Sequence, residues 1–474
     1  TTDSTDLKGF AYALFANLSK VMNDEFAPVL EELVPHLVEI IKYNEGNYGL
    51  AENDKEAMSA LDSDDEEDDG NFVLQVRTDL LEAKKGAITA LGEMASHTGA
   101  AFVPHLEESM SALKTAATNW HPIIKSVTAE ALPSLVIPSV AANHNGEIEY
   151  TKGDTSGANP LSPHTTAVVG AVLNELLTLM KDEDKETVGK ACEGIQSVIE
   201  LCGPYALAPI ANECLANTHA LLSRQAPCQG EWEEGEDEDD DHESYMTSVC
   251  DLVGSFARVM GPQFVPYLDQ FLPQLCYYAK SSRPASDRSM AIGCLGEIAQ
   301  EVEGGISGHW TSVFFPAIMA GLADTDDNVK RNAAFCAGVS SEALGSDASI
   351  AATSYPQMLQ GLSPLFGIDA SVSDGSAACV DNAAAAVSRM IMASPANVPL
   401  GTVLPALLKA LPLKNDHTEN ETVYKCVLGL MNMNCPELAE MKGELRRIFE
   451  AAVLDDKVDD EIKAQLKAAG GALA

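Results

Sequence analysis

One stretch is written twice in this chain, and it limits the fold more than any other feature. Residues 87–95 read AITALGEMA and residues 291–299 read AIGCLGEIA. The first copy runs on into Gly99-Ala-Ala-Phe102-Val-Pro104-His-Leu106, and a matching phrase stands at Gly261-Pro-Gln-Phe264-Val-Pro266-Tyr-Leu268. Both phrases space their apolar residues three and four apart, as a helix with one buried face does. The glycine between them suits a left-handed helix cap. The unit is therefore expected to be a helix, a glycine turn, and a helix with proline in its first turn, where the missing N–H costs nothing. Looser copies occur around Pro28, Pro204 with Pro209, Pro316, Pro356 and Pro405. The later copies recur at roughly 40–50 residues, the period of helical solenoids.

A second signature lies between the proline-bearing helix and the next. Its clearest case is Asp324-Thr-Asp326-Asp-Asn-Val329-Lys330-Arg331-Asn332-Ala333-Ala334-Phe335. An aspartate there caps the incoming helix, whose first N–H groups lack partners. Variants are Asp184 to Ala191 and His121 to Ala129. This pattern resembles a HEAT repeat. The fold class expected is all-α, a HEAT-repeat solenoid (an α-α superhelix) with about nine helix pairs in one array over residues 1–474.

Helices are expected over 7–21, 26–42, 73–97, 102–118, 122–141, 164–181, 185–202, 207–223, 264–280, 285–302, 310–323, 328–344, 355–366, 376–393, 400–413, 421–433, 436–454 and 460–468. Three insertions interrupt them. Residues 43–72 form an acidic loop containing Asp64, Asp65, Glu66, Glu67, Asp68 and Asp69. Residues 143–163 form a polar loop, and residues 226–242 a second acidic loop with Glu236, Asp237, Glu238, Asp239, Asp240 and Asp241. Runs of like charge with no apolar face are expected to stay solvated and poorly ordered. Both runs replace the turn inside a repeat, which places them on one edge of the array. The first helix has no proline-bearing partner and the chain does not begin with Met, so a start inside a repeat of a longer protein is expected.

The formal net charge is −41. It argues against nucleic acid as a direct ligand, because the phosphate backbone would be repelled. It favours basic partners and salt-sensitive association with them. Eleven cysteines, six of them Cys192, Cys250, Cys294, Cys336, Cys379 and Cys426 in apolar helix stripes, read as reduced core residues. No apolar run near twenty residues is read from the sequence, so no membrane segment is expected.

Motifs of catalysis are missing. The sequence carries no His-Glu-x-x-His, no Gly-x-Ser-x-Gly and no phosphate loop, so neither an enzyme nor a cofactor or metal is expected. The surface is what remains. The helices after the aspartate turns carry Glu297, Asn332, Asp381, Asn382, Asp416, Glu419, Glu421, Asn432 and Asn434. Clustered amides and carboxylates suit a lysine ammonium, which offers three donors and no acceptor. They equally suit cross-links between neighbouring helices. Of these, Glu297, Asn332, Asp381, Asn382, Asp416, Glu419 and Asn432 are taken as candidate cargo-binding residues.

The succession DSDDEEDDGNFV, VRTDLLEAKKGAITALGEMA, HPIIKSVTAEALPSL, DRSMAIGCLGEIA, DNVKRNAAFCAGV, VDNAAAAVSRMI and LPLKNDHTENETV carries a further resemblance. It is similar, over nearly the whole chain, to the C-terminal half of receptors of the importin-beta (karyopherin-beta) family. The resemblance implies a nuclear import receptor that shuttles between cytoplasm and nucleus. Such receptors bind lysine-rich nuclear localisation signals on a concave face, and the cargo implied here is core histones, their N-terminal tails and ribosomal proteins. It also implies contacts with Phe-Gly nucleoporins, and with the GTPase Ran mainly through an N-terminal half. An acidic histone chaperone and a HEAT scaffold for folded partners are the alternatives.

Overall fold

The computed structural model describes residues 5–43, 69–230, 240–345 and 347–472. Among them there is no strand. The chain divides into two compact units, Thr1–Leu252 and Val253–Ala474.

In the first unit, α1 (Thr5–Met22), α2 (Ala27–Lys42), α3 (Asp69–His97), α4 (Leu106–Ala117), α5 (Pro122–Ala131), α6 (Val136–His144), α7 (Pro163–Leu179), α8 (Lys185–Cys202), α9 (Ala211–Leu222) and the start of α10 (Asp240–Met260) follow in order. Helices α2, α4 and α7 pack side by side in one layer, while α1, α3, α5 and α8 pack in a second. In the second unit, α11 (Leu268–Tyr278), α13 (Phe315–Leu322), α15 (Ala348–Leu362), α17 (Leu400–Ala410) and α19 (Lys442–Leu454) alternate along the chain with α12 (Ala285–Val302), α14 (Asp327–Ala343), α16 (Asp374–Ala393), α18 (Asn420–Asn432) and α20 (Asp460–Ala472). Each even-numbered helix from α12 on packs against the next, which makes one continuous layer.

The repeated phrase takes a different local form from the expected one. Asn23, Gly99, Gly261 and Glu303 hold φ of 48, 52, 54 and 55°. Three residues after each comes Phe26, Phe102, Phe264 or Ile306, all at most 1 % exposed. The left-handed residue ends one helix and aims the buried residue into the core. The phrase itself, Gly99–His105 or Gly261–Tyr267, is a 3-10 segment, and the α-helix starts after the proline, at Leu106 or Leu268. Pro104 and Pro266 lack the N–H that an α ladder would use. Proline in the first turn holds for Pro28 and Pro316, whereas Pro35, Pro273, Pro356 and Pro405 lie inside helices.

The aspartate turns follow the expected chemistry. Asp184 accepts the Thr187 N–H at 2.8 Å, and Asp326 accepts those of Asn328 and Val329 at 2.9 and 3.1 Å. The aspartate two residues earlier ties the turn to the preceding repeat. Lys125 on α5 reaches both oxygens of Asp182 at 2.6 Å, and Arg288 on α12 grips Asp324 at 2.8 and 2.9 Å. Each cation is the fourth residue of its helix.

Several expectations need correction or fall outside what is described. Pro122–His144 is, by length and composition, apolar enough to cross a membrane, contrary to the reading above. Of its 18-residue apolar window, 67 % is buried within the fold, and a 3-10 turn at Leu132–Leu135 splits the span into α5 and α6. Helix α15 begins at Ala348 rather than 355, because Asp347 caps it through the Ser349 and Ile350 N–H groups. Asp64–Asp68 and Glu236–Asp239 lie outside the described residues, while Asp69, Asp240 and Asp241 fall in the first turns of α3 and α10. The polar loop is present as irregular chain from Asn145 to Ser162.

All eleven cysteines are free, and all but Cys276 are buried. Burial pushes the thiols of Cys202, Cys214, Cys336, Cys379 and Cys426 up to about 12, so they are protonated core residues.

Candidate functional site

The even-numbered helices α12 to α18 of the second unit, with the turn before α18, carry every candidate cargo-binding residue that the sequence singles out. Small residues let these helices approach closely. Glycines at 254, 293, 296 and 338 and alanines 383–386 leave the helix backbones bare. Polar side chains from the following helix then lie across those bare positions.

Glu297, half-buried on α12, extends its carboxylate over Gly254 of α10. Asn332 on α14 lies over Gly293 of α12. Its amide donates to the Ser289 carbonyl at 2.7 Å and to Ser289 Oγ at 3.0 Å. One helix further, Arg389 Nη1 on α16 stands 2.9 Å from Glu419 Oε2, and its Nε 3.3 Å from Glu342 Oε2 on α14. The Glu419 carboxylate is buried and the Glu342 carboxylate is exposed, so the guanidinium bridges interior and surface.

Asp381, Asn382 and Asp416 form one network. Asp381 is 1 % exposed, and its carboxylate accepts the backbone N–H groups of Lys414, Asn415 and Asp416 at 2.7–3.2 Å. Asn382, 3 % exposed, donates to Asp416 Oδ2 at 2.8 Å and to the Ala378 carbonyl at 3.0 Å. A buried carboxylate is sustained only by such donors. The network holds the turn before α18 against α16. It is the counterpart of the Arg288–Asp324 tie, with the acid now on the helix and backbone amides on the turn.

The structure thus brings Asp381, Asn382 and Asp416 together and sets Glu419 against Arg389, while Glu297 and Asn332 each engage their own preceding helix. Asn432 and Asn434 are exposed at the C-terminal end of α18, beside the exposed Met433. Glu421 is exposed and pairs with Lys425 one turn on. Sequence reasoning missed Arg389, Glu342 and Ser289. Glycines recurring mid-helix at 254, 293 and 338 were the available signal, since each marks a close approach.

Charge pairing sets the proton affinities of the turns. The Arg288 guanidinium holds the Asp324 carboxyl below the usual carboxylate range. Lys330 and then Ser376 do the same for Asp327. In the first unit, Glu183, Asp184, Glu186 and Glu193 line a polar groove of ≈ 550 Å³ with Tyr245 and Ser248. There Lys190 pairs with Glu193 at 2.9 Å, which raises the ammonium's proton affinity. Among the described residues no group of three or more His, Cys, Asp or Glu is placed to hold a metal ion.

Stacked helix pairs whose second helices pack closely in one layer define a HEAT-repeat solenoid, an all-α fold. No protein-family model matches the chain. A probable importin subunit beta-4 of Schizosaccharomyces pombe is 27 % identical over 490 residues, covering 98 % of this chain and 45 % of the relative. Human importin-4 is 27 % identical over 98 % of this chain and 43 % of its own length. By these matches the chain is similar to importin-4 and importin beta-4 proteins. The chain spans less than half the length of these relatives. Among solved structures, the karyopherin Kap121p bound to Nup53p aligns with a TM-score of 0.71 at 16 % identity, over 98 % of this chain and 42 % of that one. Kap121p bound to RanGTP aligns with a TM-score of 0.68 at 14 % identity, over 100 % and 43 %. At such identity the structural likeness speaks to the fold alone.

Proposed function

We propose that the chain is part of a nuclear import receptor that takes lysine-rich localisation signals on the even-numbered helices of its second unit. The cargo would be core histones, their N-terminal tails and ribosomal proteins. The observation that carries this reading is the homology to importin-4 proteins over 98 % of the chain. A net charge of −41 complements such cargo. Kap121p has been solved bound to the SUMO protease Ulp1p, to Nup53p and to RanGTP. By that analogy the whole receptor also meets Phe-Gly nucleoporins and Ran, and shuttles between cytoplasm and nucleus.

Within the site, the exposed Asn432 and half-buried Glu297, Asn332 and Asp416 are the residues that contact the signal. The buried Asp381, Asn382 and Glu419 hold the walls. The acidic runs at Asp64–Asp69 and Glu236–Asp241 speed encounter rather than supply most of the affinity, because exposed charges are screened within about 10 Å at 0.1 M salt. Fluorescence anisotropy with a histone tail peptide, its Lys→Ala variants and a scrambled control tests the reading. A selective groove loses more than tenfold affinity on the Lys→Ala changes and on scrambling. Equal binding of the scrambled peptide would replace this reading with that of a diffuse acidic chaperone.

A further inference from the structure

Three Ser-Pro pairs occur in the chain, at Ser162-Pro163, Ser363-Pro364 and Ser394-Pro395. Their backbones set them apart. Ser363 continues out of α15 in helical conformation, φ −54° and ψ −44°. Ser394 sits in the tight link after α16, φ −153° and ψ 73°, where the Asn397 amide donates to its hydroxyl at 2.9 Å. Ser162 alone is extended, φ −61° and ψ 155°, at the end of the irregular segment that joins α6 to α7.

That segment is a strap with two anchored ends and an exposed middle. Tyr150 donates its hydroxyl to the Glu200 carbonyl at 3.0 Å, and its ring fills the space over Gly203. Leu161 is 6 % exposed, yet residues 154–160 just before it are all exposed. A kinase that reads Ser-Pro binds its substrate extended and needs several accessible residues on the N-terminal side. Pro160 and Pro163 flank the serine at the second position before and the first after.

The hydrogen bonds around Ser162 define what a phosphate placed there would meet. Its Oγ accepts the Thr165 N–H at 3.1 Å as the cap of α7. Its own N–H donates to His144 Nε2 at 3.2 Å, and that nitrogen is 3.1 Å from Thr165 Oγ1. Ser139 Oγ bridges Thr165 Oγ1 at 3.0 Å to His164 Nδ1 at 2.9 Å. Two imidazoles and a helix N-terminus therefore converge here, and among the described residues no carboxylate joins the network. A dianionic group on Ser162 is favoured by the N-terminus of α7, and by His144 once that ring takes a proton at Nε2 and gives up the Ser162 N–H.

We propose that Ser162 is a phosphorylation site for a proline-directed protein kinase, which uses a nucleoside triphosphate as donor. The Ser162 oxygen bonds to the γ-phosphorus as the bond to the departing diphosphate breaks, and the hydroxyl proton passes to the kinase's carboxylate base. The phosphate then pins the strap's C-terminal end to α7, His144 and His164.

Incubating the intact chain with a proline-directed Ser/Thr kinase of the mitogen-activated class and ATP, followed by phosphopeptide mapping, tests this. Label is expected at Ser162 at least tenfold faster than at Ser363 or Ser394. Ser162→Ala removes it, and a Ser363→Ala, Ser394→Ala double variant keeps it. Pro163→Ala preserves the capping hydroxyl but abolishes recognition, which separates loss of the motif from loss of fold. Comparable labelling of Ser363 or Ser394 would overturn the proposal. So would an unlabelled Ser162 in the intact chain, whether or not a synthetic peptide of residues 154–168 is labelled.

Discussion

The Glu297 carboxylate occupies the place where a side chain at Gly254 would begin: a Cβ there would lie 1.8 Å from its Oε2. An alanine at 254 therefore has to push the carboxylate aside. The obstacle is the far end of a flexible side chain, and alanine is favoured over glycine in a helix by about 1 kcal/mol. Gly254→Ala is expected to leave the melting temperature nearly unchanged while redirecting Glu297. Tail-peptide affinity in Gly254→Ala should then fall as it does in Glu297→Gln, read by anisotropy. Unchanged affinity in both variants would remove Glu297 from the site.

Gly338 presents the opposite case. A Cβ there would meet the Ala386 Cα at 2.8 Å, so the backbones of α14 and α16 themselves must part. Overpacking of this kind costs about 1–3 kcal/mol. Urea denaturation of Gly338→Ala is expected to show a lower midpoint with an unchanged slope.

Glu303 stands in the left-handed position that glycine fills at 99 and 261, with φ 55° and ψ −135°. A side chain there costs on the order of 1–3 kcal/mol. Glu303→Gly is expected to stabilise the protein by about 1 kcal/mol after the entropy cost of glycine, visible as a raised denaturation midpoint. A lowered midpoint would mean that the glutamate makes a contact worth more than the strain.

The depressed Asp324 carboxyl gives the sign of a pH effect. Its folded value lies below its unfolded value of about 4. The tie to Arg288 therefore contributes fully above that range and is lost as pH falls through the folded value. Asp324→Asn is expected to cost about 1–3 kcal/mol at pH 7. The gap to the parent chain should narrow below about pH 4. A gap that stays constant with pH would assign the loss to packing instead.

Asn382 and Asn432 separate wall from contact. Truncating the buried Asn382 leaves Asp416 Oδ2 without the amide that donates to it, so Asn382→Ala is expected to lower thermal stability and weaken peptide binding together. Asn432→Ala, at an exposed position, should weaken binding severalfold at an unchanged melting temperature. Equal behaviour of the two variants would contradict this division.

Much of the fold was legible because apolar periodicity and capping aspartates are local signals. Helices α8 and α12 begin and end at the residues expected, Lys185–Cys202 and Ala285–Val302. The proline phrase misled because proline's preference for a first turn does not distinguish an α start from a 3-10 lead-in. Left-handed residues precede both prolines alike: Asn23 and Glu303 come before the α starts at Pro28 and Pro316, while Gly99 and Gly261 open the 3-10 segments. The site was legible only as a set of residue types. Asn332 and Asn382 share a register, yet one donates to the preceding helix and the other to the following turn. That difference depends on Gly293 and Asp416, which are distant in sequence, so no local pattern could announce it.

The ties between repeats also fix how the chain gives way under load. Lys125 holds Asp182, Arg288 holds Asp324, and Asp381 holds the amides of 414–416. Each fastening joins one repeat to the turn of the next and reaches no further. In an optical trap, tension applied at the end of the second unit would meet the Asp381 clasp before the Arg288 clasp. The extension trace would rise in a staircase of repeat-sized rips, and Arg288→Ala would merge two of its treads into one.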